Sequence, residues 1–272
     1  MSEQKKIFDV ITDHHWQAAP LTISQQSIDD LFNNRIPYLL VENFLSLSEC
    51  SLLVSAITKL GLGGYDYNFD INAAPPAQHL FETHYLYENK MPEDYFPAAE
   101  KSIHEYKKLC DEIKLYPDKK MMDLLSQYTQ KPVAIASQEG KNYSHVIIRE
   151  LKNSALLHAD FAPFIPSYWS ISNITAELAW NIYLSDAGKG GECVVYNKPW
   201  EKEDDKYITH DTYGYDHAVV KDKEFAEIYP TQGSLVLFNS RNFHEVRRSE
   251  NPRISMGGHI GLTPAGEIIV WI

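Results

Sequence analysis

His158-Ala-Asp160 is the first place in this chain where neighbouring side chains could act together on one ion. In an extended strand residues i and i+2 project from the same face, so the imidazole and the carboxylate stand side by side. Taken alone the triplet is weak, because His-x-Asp arises often by chance. It gains weight from His244, which follows the strand-like Gly233-Ser-Leu-Val-Leu-Phe238 and the turn Asn239-Ser-Arg-Asn242. A chain returning through that turn can bring His244 to the same mouth. Two imidazoles and one carboxylate occupy one face of an octahedron and leave three positions open, the donor set that suits Fe(II) with O2. Zinc hydrolases use similar ligands, so the donors by themselves do not settle the metal.

Downstream, Asn251-Pro252-Arg253-Ile-Ser255 adds a second element. Arg253 and Ser255 share a strand face by the same period of two, and a guanidinium fork beside a hydroxyl is a bidentate socket for a carboxylate. A 2-oxoacid could chelate the iron at one end and be anchored there at the other. His259 continues this alternation and could point the same way, although a satisfied core histidine is the plainer role.

These groups need elements to carry them. Ile36 to Phe44 reads as a buried strand, and Ser46-Leu-Ser-Glu49 has the form of a capping box that starts a helix. Leu52, Leu53, Ala56, Ile57 and Leu60 fall on one face of that helix, and Gly61-Leu-Gly-Gly64 ends it. Residues 65–97 read as a long ordered loop. Two helices are expected between about 98 and 130, separated by Pro117. Short β-type runs follow: Val146 to Leu151, Ala176 to Leu184, Glu192 to Tyr196, Ser234 to Phe238, Arg253 to Leu262 and Ile268 to Trp271. Several short strands in one half favour a sandwich or double-sheet jelly roll over a parallel α/β sheet. Asp186-Ala-Gly-Lys-Gly-Gly191 lies between two strands and reads as a hairpin turn, not a nucleotide loop. Residues 197–225 interrupt the strands with charged and aromatic residues and could form a lid; the run Glu201 to Asp205 within them reads as a solvated loop.

Composition narrows the partners. The 272 residues carry 25 basic and 37 acidic side chains, a formal charge of −12, which repels phosphate backbones and anionic lipid surfaces. Three dispersed cysteines, Cys50, Cys110 and Cys193, suggest neither a disulfide framework nor a zinc ribbon. No run of about 18 apolar residues and no apolar leader is present, so a cytoplasmic location is expected. Length fits a single domain over 1–272, with 1–135 as support and 136–272 as the core.

The quoted segments together resemble the Fe(II)/2-oxoglutarate-dependent oxygenases, in the branch shaped like prolyl 4-hydroxylase, with a texture similar to hydroxylases and halogenases of free natural products. The likeness runs from IPYLLVENFLSLSEC through VIIRELKNSALLHAD and GGECVVY to GSLVLFNSRNFHEV and PRIS. It implies a mainly β fold with flanking helices around a double-stranded β-helix, a jelly-roll or cupin-like core. It implies His158, Asp160 and His244 as iron ligands, and Arg253 with Ser255 as the anchor of 2-oxoglutarate. Arg149 matches a position that in this branch often holds a cosubstrate-contacting Tyr. Halogenases replace the ligand carboxylate by Gly or Ala; Asp160 is present here, so the resemblance implies hydroxylation or another O2-dependent oxidation. The expected partner is a small molecule, with no nucleic acid and no membrane, and oligomeric state is left open. Phe161, Phe164, Trp169 and the Tyr-rich segments near 65–87 and 207–215 are candidate substrate contacts, each weighed against plain packing. The rivals are a hydroxylase of protein side chains, and a cupin-like isomerase, hydrolase or binding protein that would lack the 2-oxoacid site.

Overall fold

A computed structural model describes residues 15–19, 22–64, 77–87, 90–151, 153–210 and 212–272. Four helices are described: α1 (Gln25–Phe32), α2 (Leu47–Leu60), α3 (Pro92–Ile113) and α4 (Pro117–Thr129). The strands are β1 (Tyr38–Val41), β2 (Gly63–Gly64), β3 (Ala77–Leu80), β4 (Val133–Ile135), β5 (Ser137–Gln138), β6 (Lys141–Asn142), β7 (Ile147–Leu151), β8 (Ala155–His158) and β9 (Ala176–Tyr183). After them come β10 (Cys193–Pro199), β11 (Phe225–Ile228), β12 (Leu235–Asn239), β13 (Asn242–Val246), β14 (Arg253–Leu262) and β15 (Ile268–Trp271).

Among the described residues the strands form two main sheets. The larger runs β1-β12-β9-β14-β7-β3-β2, with β15 joining β14 to β4; the smaller runs β11-β10-β13-β8. All these pairings are antiparallel except β15 with β4. Along β9 alternate residues do opposite jobs, as a strand's pleat requires. Leu178, Trp180 and Ile182 pack with Ile28 and Leu31 of α1, Leu53 of α2, Leu109 of α3 and Leu125 of α4. Ala179 and Tyr183 turn the other way, to Cys193, Val195 and Ile228 of the smaller sheet. The helices thus cover one face of the large sheet, and the small sheet faces the other.

Local chemistry accounts for most element ends. Glu49 donates its N–H to Ser46 Oγ at 3.2 Å while its carboxylate accepts the Ser46 N–H at 2.7 Å, so the capping box starts α2 as expected. Gly61, at φ 76°, ends it. The buried seam of α2 is Cys50, Leu53 and Ile57; Leu52 and Leu60 face solvent, so the apolar face is narrower than the pattern suggests.

Three expectations need correction. Residues 77–97 are not loop: β3 pairs with β7, and α3 begins at Pro92, where a proline with Glu93 and Asp94 suits a helix N-terminus. Residues 65–76 lie outside the described residues. The segment 186–191 is not a hairpin, because β9 and β10 belong to different sheets and the loop crosses between them. Its tight path depends on glycine: a Cβ on Gly190, at φ 82°, would stand 2.1 Å from the Arg248 carbonyl oxygen. Finally, the turn into His244 is short, with β13 starting at Asn242, and β8 stops at His158 instead of running on through Asp160.

Candidate active site

The register of β8 against β13 sets His158 directly opposite His244. Their rings lie 4.2 Å apart, centre to centre. Each ring is oriented by the main chain two residues upstream: His158 Nδ1 donates to Leu156 O at 2.6 Å, and His244 Nδ1 to Asn242 O at 2.9 Å. A proton fixed on Nδ1 leaves the Nε2 lone pair free for a metal. Asp160 sits just past the strand end, where its N–H donates to Ser240 O at 2.9 Å. Its Oδ2 then lies 3.9 Å from His158 Nε2 and 3.6 Å from His244 Nε2, both beyond ordinary hydrogen-bond length.

These three side chains offer donor atoms that all lie within 4.8 Å of one another. Donors sharing one ion at ~2.1 Å each stand ~3 Å apart when adjacent, so small side-chain movements close the set. Electrostatics keeps His158 and Asp160 in their ligating forms. Burial, then the neighbouring His244, pushes His158 down to about 4, so its ring is neutral. Burial raises the Asp160 carboxyl, but the adjacent His244 and His158 outweigh it and hold Asp160 well below the usual carboxylate range.

The triad opens into a cavity of about 510 Å³ whose far wall is the inner face of the large sheet. Arg253, Ser255 and His259 of β14 line it, with Arg149 of β7 and Asn181 and Tyr183 of β9. Ser255 is paired across the sheet with Arg149 on one side and Tyr183 on the other, so these three side chains share one face. Arg253 is buried; its Nη1 donates to Gly191 O at 2.8 Å and its guanidinium sits 5.2 Å from the Tyr183 ring centre. Its Nε is buried without a partner. A buried guanidinium held by one carbonyl and one aromatic ring, with a donor left over, is a ready carboxylate site. All six residues singled out in the sequence therefore border one cavity.

Among the aromatic candidates, Phe161, Phe164, Tyr213 and Tyr215 line the cavity, as does Trp200. Trp169 does not: it is fully buried in a separate cluster with Tyr95 and Tyr143. Tyr207 packs with Leu157 and Val219 at the edge of the small sheet. Tyr85, in the Tyr-rich segment near 65–87, lines the cavity as well; sequence reasoning missed Glu177 and His84. Glu177 carries a readable signal, an acidic residue in phase with Ala179, Asn181 and Tyr183; His84 and Tyr85 sit in a one-turn helix, His84–Tyr87, that no periodicity announces.

Residues 16–270 match the family described as carrier-protein-independent halogenase WelO5. The chain belongs to that family, and with it to the Fe(II)/2-oxoglutarate-dependent oxygenases. It is 42% identical over 153 residues, 52% of this chain and 62% of the relative, to "Leucinostatins biosynthesis cluster protein S" of Purpureocillium lilacinum. It is 32% identical over 100 residues, 36% of this chain and 37% of the relative, to an L-gamma-glutamyl-L-propargylglycine hydroxylase of Streptantibioticus cattleyicolor. The matches thus span less than two thirds of either relative. In structure it is similar to an N-substituted L-amino acid dioxygenase of Burkholderia ambifaria, at TM-score 0.60 and 14% identity over 90% of this chain and 91% of that one. That likeness carries the fold: mainly antiparallel β with flanking helices. No helix among the described residues is long and apolar enough to cross a membrane.

Proposed function

We propose that this protein is an Fe(II)- and 2-oxoglutarate-dependent dioxygenase that hydroxylates an unactivated C–H of a small molecule, an amino-acid derivative or natural product. The carrying observation is the unpartnered Arg253 Nε, buried in the same cavity as the His158, Asp160 and His244 donors. The two facing sheets are read as a double-stranded β-helix in a single oxygenase domain, with 197–225 as a lid. Tyr215 N–H donates to Leu157 O at 2.8 Å, which ties that segment to the edge strand carrying His158.

In this reading Fe(II) is held by His158, Asp160 and His244, and supplies, with O2 and 2-oxoglutarate, the oxidant. The balance is one C–H, one O2 and one 2-oxoglutarate giving C–OH, succinate and CO2. The protein's residues orient and exclude water. Arg253 and Ser255 grip the distal carboxylate of 2-oxoglutarate, Arg149 adds positive charge beside Ser255, and Phe161, Phe164 and Trp200 keep the mouth apolar. The names of the relatives, a hydroxylase of an amino-acid conjugate and a dioxygenase of N-substituted amino acids, support a small substrate of that type.

Halogenation is the second reading, because the family itself favours it. Asp160 speaks against it, since its carboxylate stands in the ligand position that a halide would need. A protein side-chain substrate finds less support, as aromatic side chains from two segments crowd the mouth. The three free cysteines are all buried, which suits a reducing cytoplasm. The test is to give purified protein Fe(II), 2-oxoglutarate, O2 and chloride with a metabolite extract. Products gaining one oxygen, with matching succinate, are expected; a chlorinated product, or no 2-oxoglutarate consumption with any compound, overturns the reading.

A further inference from the structure

Resting on the oxygenase reading above, we propose that Asn181 is a further cosubstrate residue, whose carboxamide N–H binds the C1 carboxylate of 2-oxoglutarate, the end that chelates the metal. The inner face of the large sheet is laid out in rows ~7 Å apart, two residues of strand to a row. Phe238, Ala179 and His259 make the first row, and His244 sets its ring against Phe238 at 4.9 Å, so the metal donors stand at this end. Asn181 and Gly257 lie in the next row. Tyr183, Ser255 and Arg149 form the third, and Arg253 is one row beyond. An oxoacid that reaches from the triad to the Arg253 socket therefore crosses Asn181.

The fold gives the Asn181 side chain no partner of its own. Among the described residues, the four buried asparagines, Asn34, Asn197, Asn239 and Asn242, each donate a carboxamide N–H to another protein group. Asn181 is half-buried, borders the cavity, and makes no side-chain hydrogen bond among the described residues. Gly257 gives it room: a Cβ there would stand 2.7 Å from Asn181 Oδ1 and 2.6 Å from Trp180 O, so a side chain at 257 would push the carboxamide away. Oδ1 and Cγ are the Asn181 atoms that approach Gly257, which leaves Nδ2 as the end turned from β14.

The oxoacid has the complementary need. It chelates through its keto oxygen and one C1 oxygen, so the second C1 oxygen, which shares the negative charge, stays off the metal. Ala179 and Phe238 border the cavity at this point and offer that oxygen nothing in exchange for its water. Burying a charged oxygen without a donor is costly. An amide N–H facing it makes a charge-assisted bond, stronger than one between neutral groups. Arg253 thus holds one end of the cosubstrate and Asn181 the other.

The test is anaerobic titration of the Fe(II)-loaded protein with 2-oxoglutarate and with 2-oxopentanoate, which keeps the chelating end and lacks the distal carboxylate. The visible band of the Fe(II)–oxoacid complex reports binding, and Ni(II) calorimetry reports the triad separately. Asn181→Leu should keep Ni(II) affinity and weaken both oxoacids about tenfold or more, the loss of a hydrogen bond to a charged group. Its band should also move to shorter wavelength, because a lost hydrogen bond raises the oxoacid orbital that receives the electron. Asn181→Asp keeps the shape but offers only acceptors, so it should weaken both oxoacids further, again without weakening Ni(II). Arg253→Ala, by contrast, should weaken 2-oxoglutarate and leave 2-oxopentanoate unchanged. Unaltered oxoacid affinity in Asn181→Asp, an unmoved band in Asn181→Leu, weakening of 2-oxoglutarate alone, or loss of Ni(II) affinity in both variants overturns the role of Asn181. Absence of the band in the unaltered protein would instead overturn the oxygenase reading.

Discussion

Asp160 and Glu177 are two carboxylates in one corner of the molecule, joined through Ser240, yet they are treated in opposite ways. Glu177 accepts two hydrogen bonds, from the Ala162 N–H and the Ser240 hydroxyl, and faces His259 Nδ1 at 2.9 Å. Asp160 is held by its main chain, through Ser240 O, while its carboxylate meets only two imidazoles at 3.6 and 3.9 Å. Buried charges are costly unless paired and hydrogen-bonded. A carboxylate with its partners in place is support for the wall, whereas one that folding leaves short of them is, on the proposed reading, left for an ion to complete. The same contrast separates Arg253, with a spare buried Nε, from Arg241, whose Nε donates to Trp200 O at 3.0 Å.

The sharpest way to break this contrast is to remove each carboxylate in turn. Asp160→Ala should weaken Fe(II) or Ni(II) binding more than ~100-fold in titration calorimetry, beyond the ~10–100-fold typical of residues that only support a ligand. Glu177→Gln should keep metal affinity within that supporting range but lower stability by about 1–3 kcal/mol in urea melts, the cost of a damaged buried network. If the two variants lose metal equally, the distinction between ligand and support is wrong. Arg253→Ala comes next: losing a buried charge partner costs about 2–5 kcal/mol, at least ~30-fold in 2-oxoglutarate affinity, with metal binding retained. Unchanged 2-oxoglutarate affinity would remove the anchor.

How far the sequence disclosed this site depends on the physics of each part. The strands carrying it were legible, because alternation over β9 and β14 is strong and bounded by turns; Arg253, Ser255 and His259 could be placed on one face from spacing alone. His158 and Asp160 were also legible as a pair, though the strand ends at His158 and a main-chain bond to Ser240 does what extended geometry was expected to do. The loop 186–191 misled, since glycines at positive φ serve a hairpin and a crossover between sheets equally well, and only the pairing partners distinguish them. Tyr85 falls in the Tyr-rich segment near 65–87 that the sequence marks as a candidate contact, whereas the bond from Tyr85 to His259, remote in the chain, and the place of His84 at the cavity are encoded by no local pattern.

A third carboxylate extends the comparison to the helical layer with a smaller effect. Asp118, at the start of α4, accepts the Tyr106 hydroxyl at 2.7 Å and faces His145 Nε2 at 3.1 Å. Burial raises its carboxyl, but the bonds to His145 and Tyr106 prevail and hold it below its ordinary value. A group whose folded value is depressed contributes stability above its unfolded value, about 3.9, and that contribution disappears as pH falls through the folded value. Asp118→Asn should therefore destabilise the protein by about 1–3 kcal/mol at pH 7. The gap to the unaltered protein should begin to narrow below about pH 4, where the unfolded chain's carboxyl takes up a proton, and close as pH falls through the lower folded value. Urea melts at both pH values check this, and a gap that persists unchanged in acid would show that Asp118 works by packing alone.

The smallest effect concerns Cys193, which borders the cavity beside Arg253 and would look reactive on position alone. A nearby guanidinium favours thiolate, yet burial dominates and pushes the Cys193 thiol up to about 12. At pH 8 almost none of it is thiolate, the nucleophilic form. Alkylation by iodoacetamide, followed by peptide mass, should thus leave Cys193 unmodified in the native protein and modify it fully in urea. Labelling at native pH 8 would mean that the Arg253 pocket admits water and solute freely, and a socket that wet would bind 2-oxoglutarate far more weakly than the buried Nε implies.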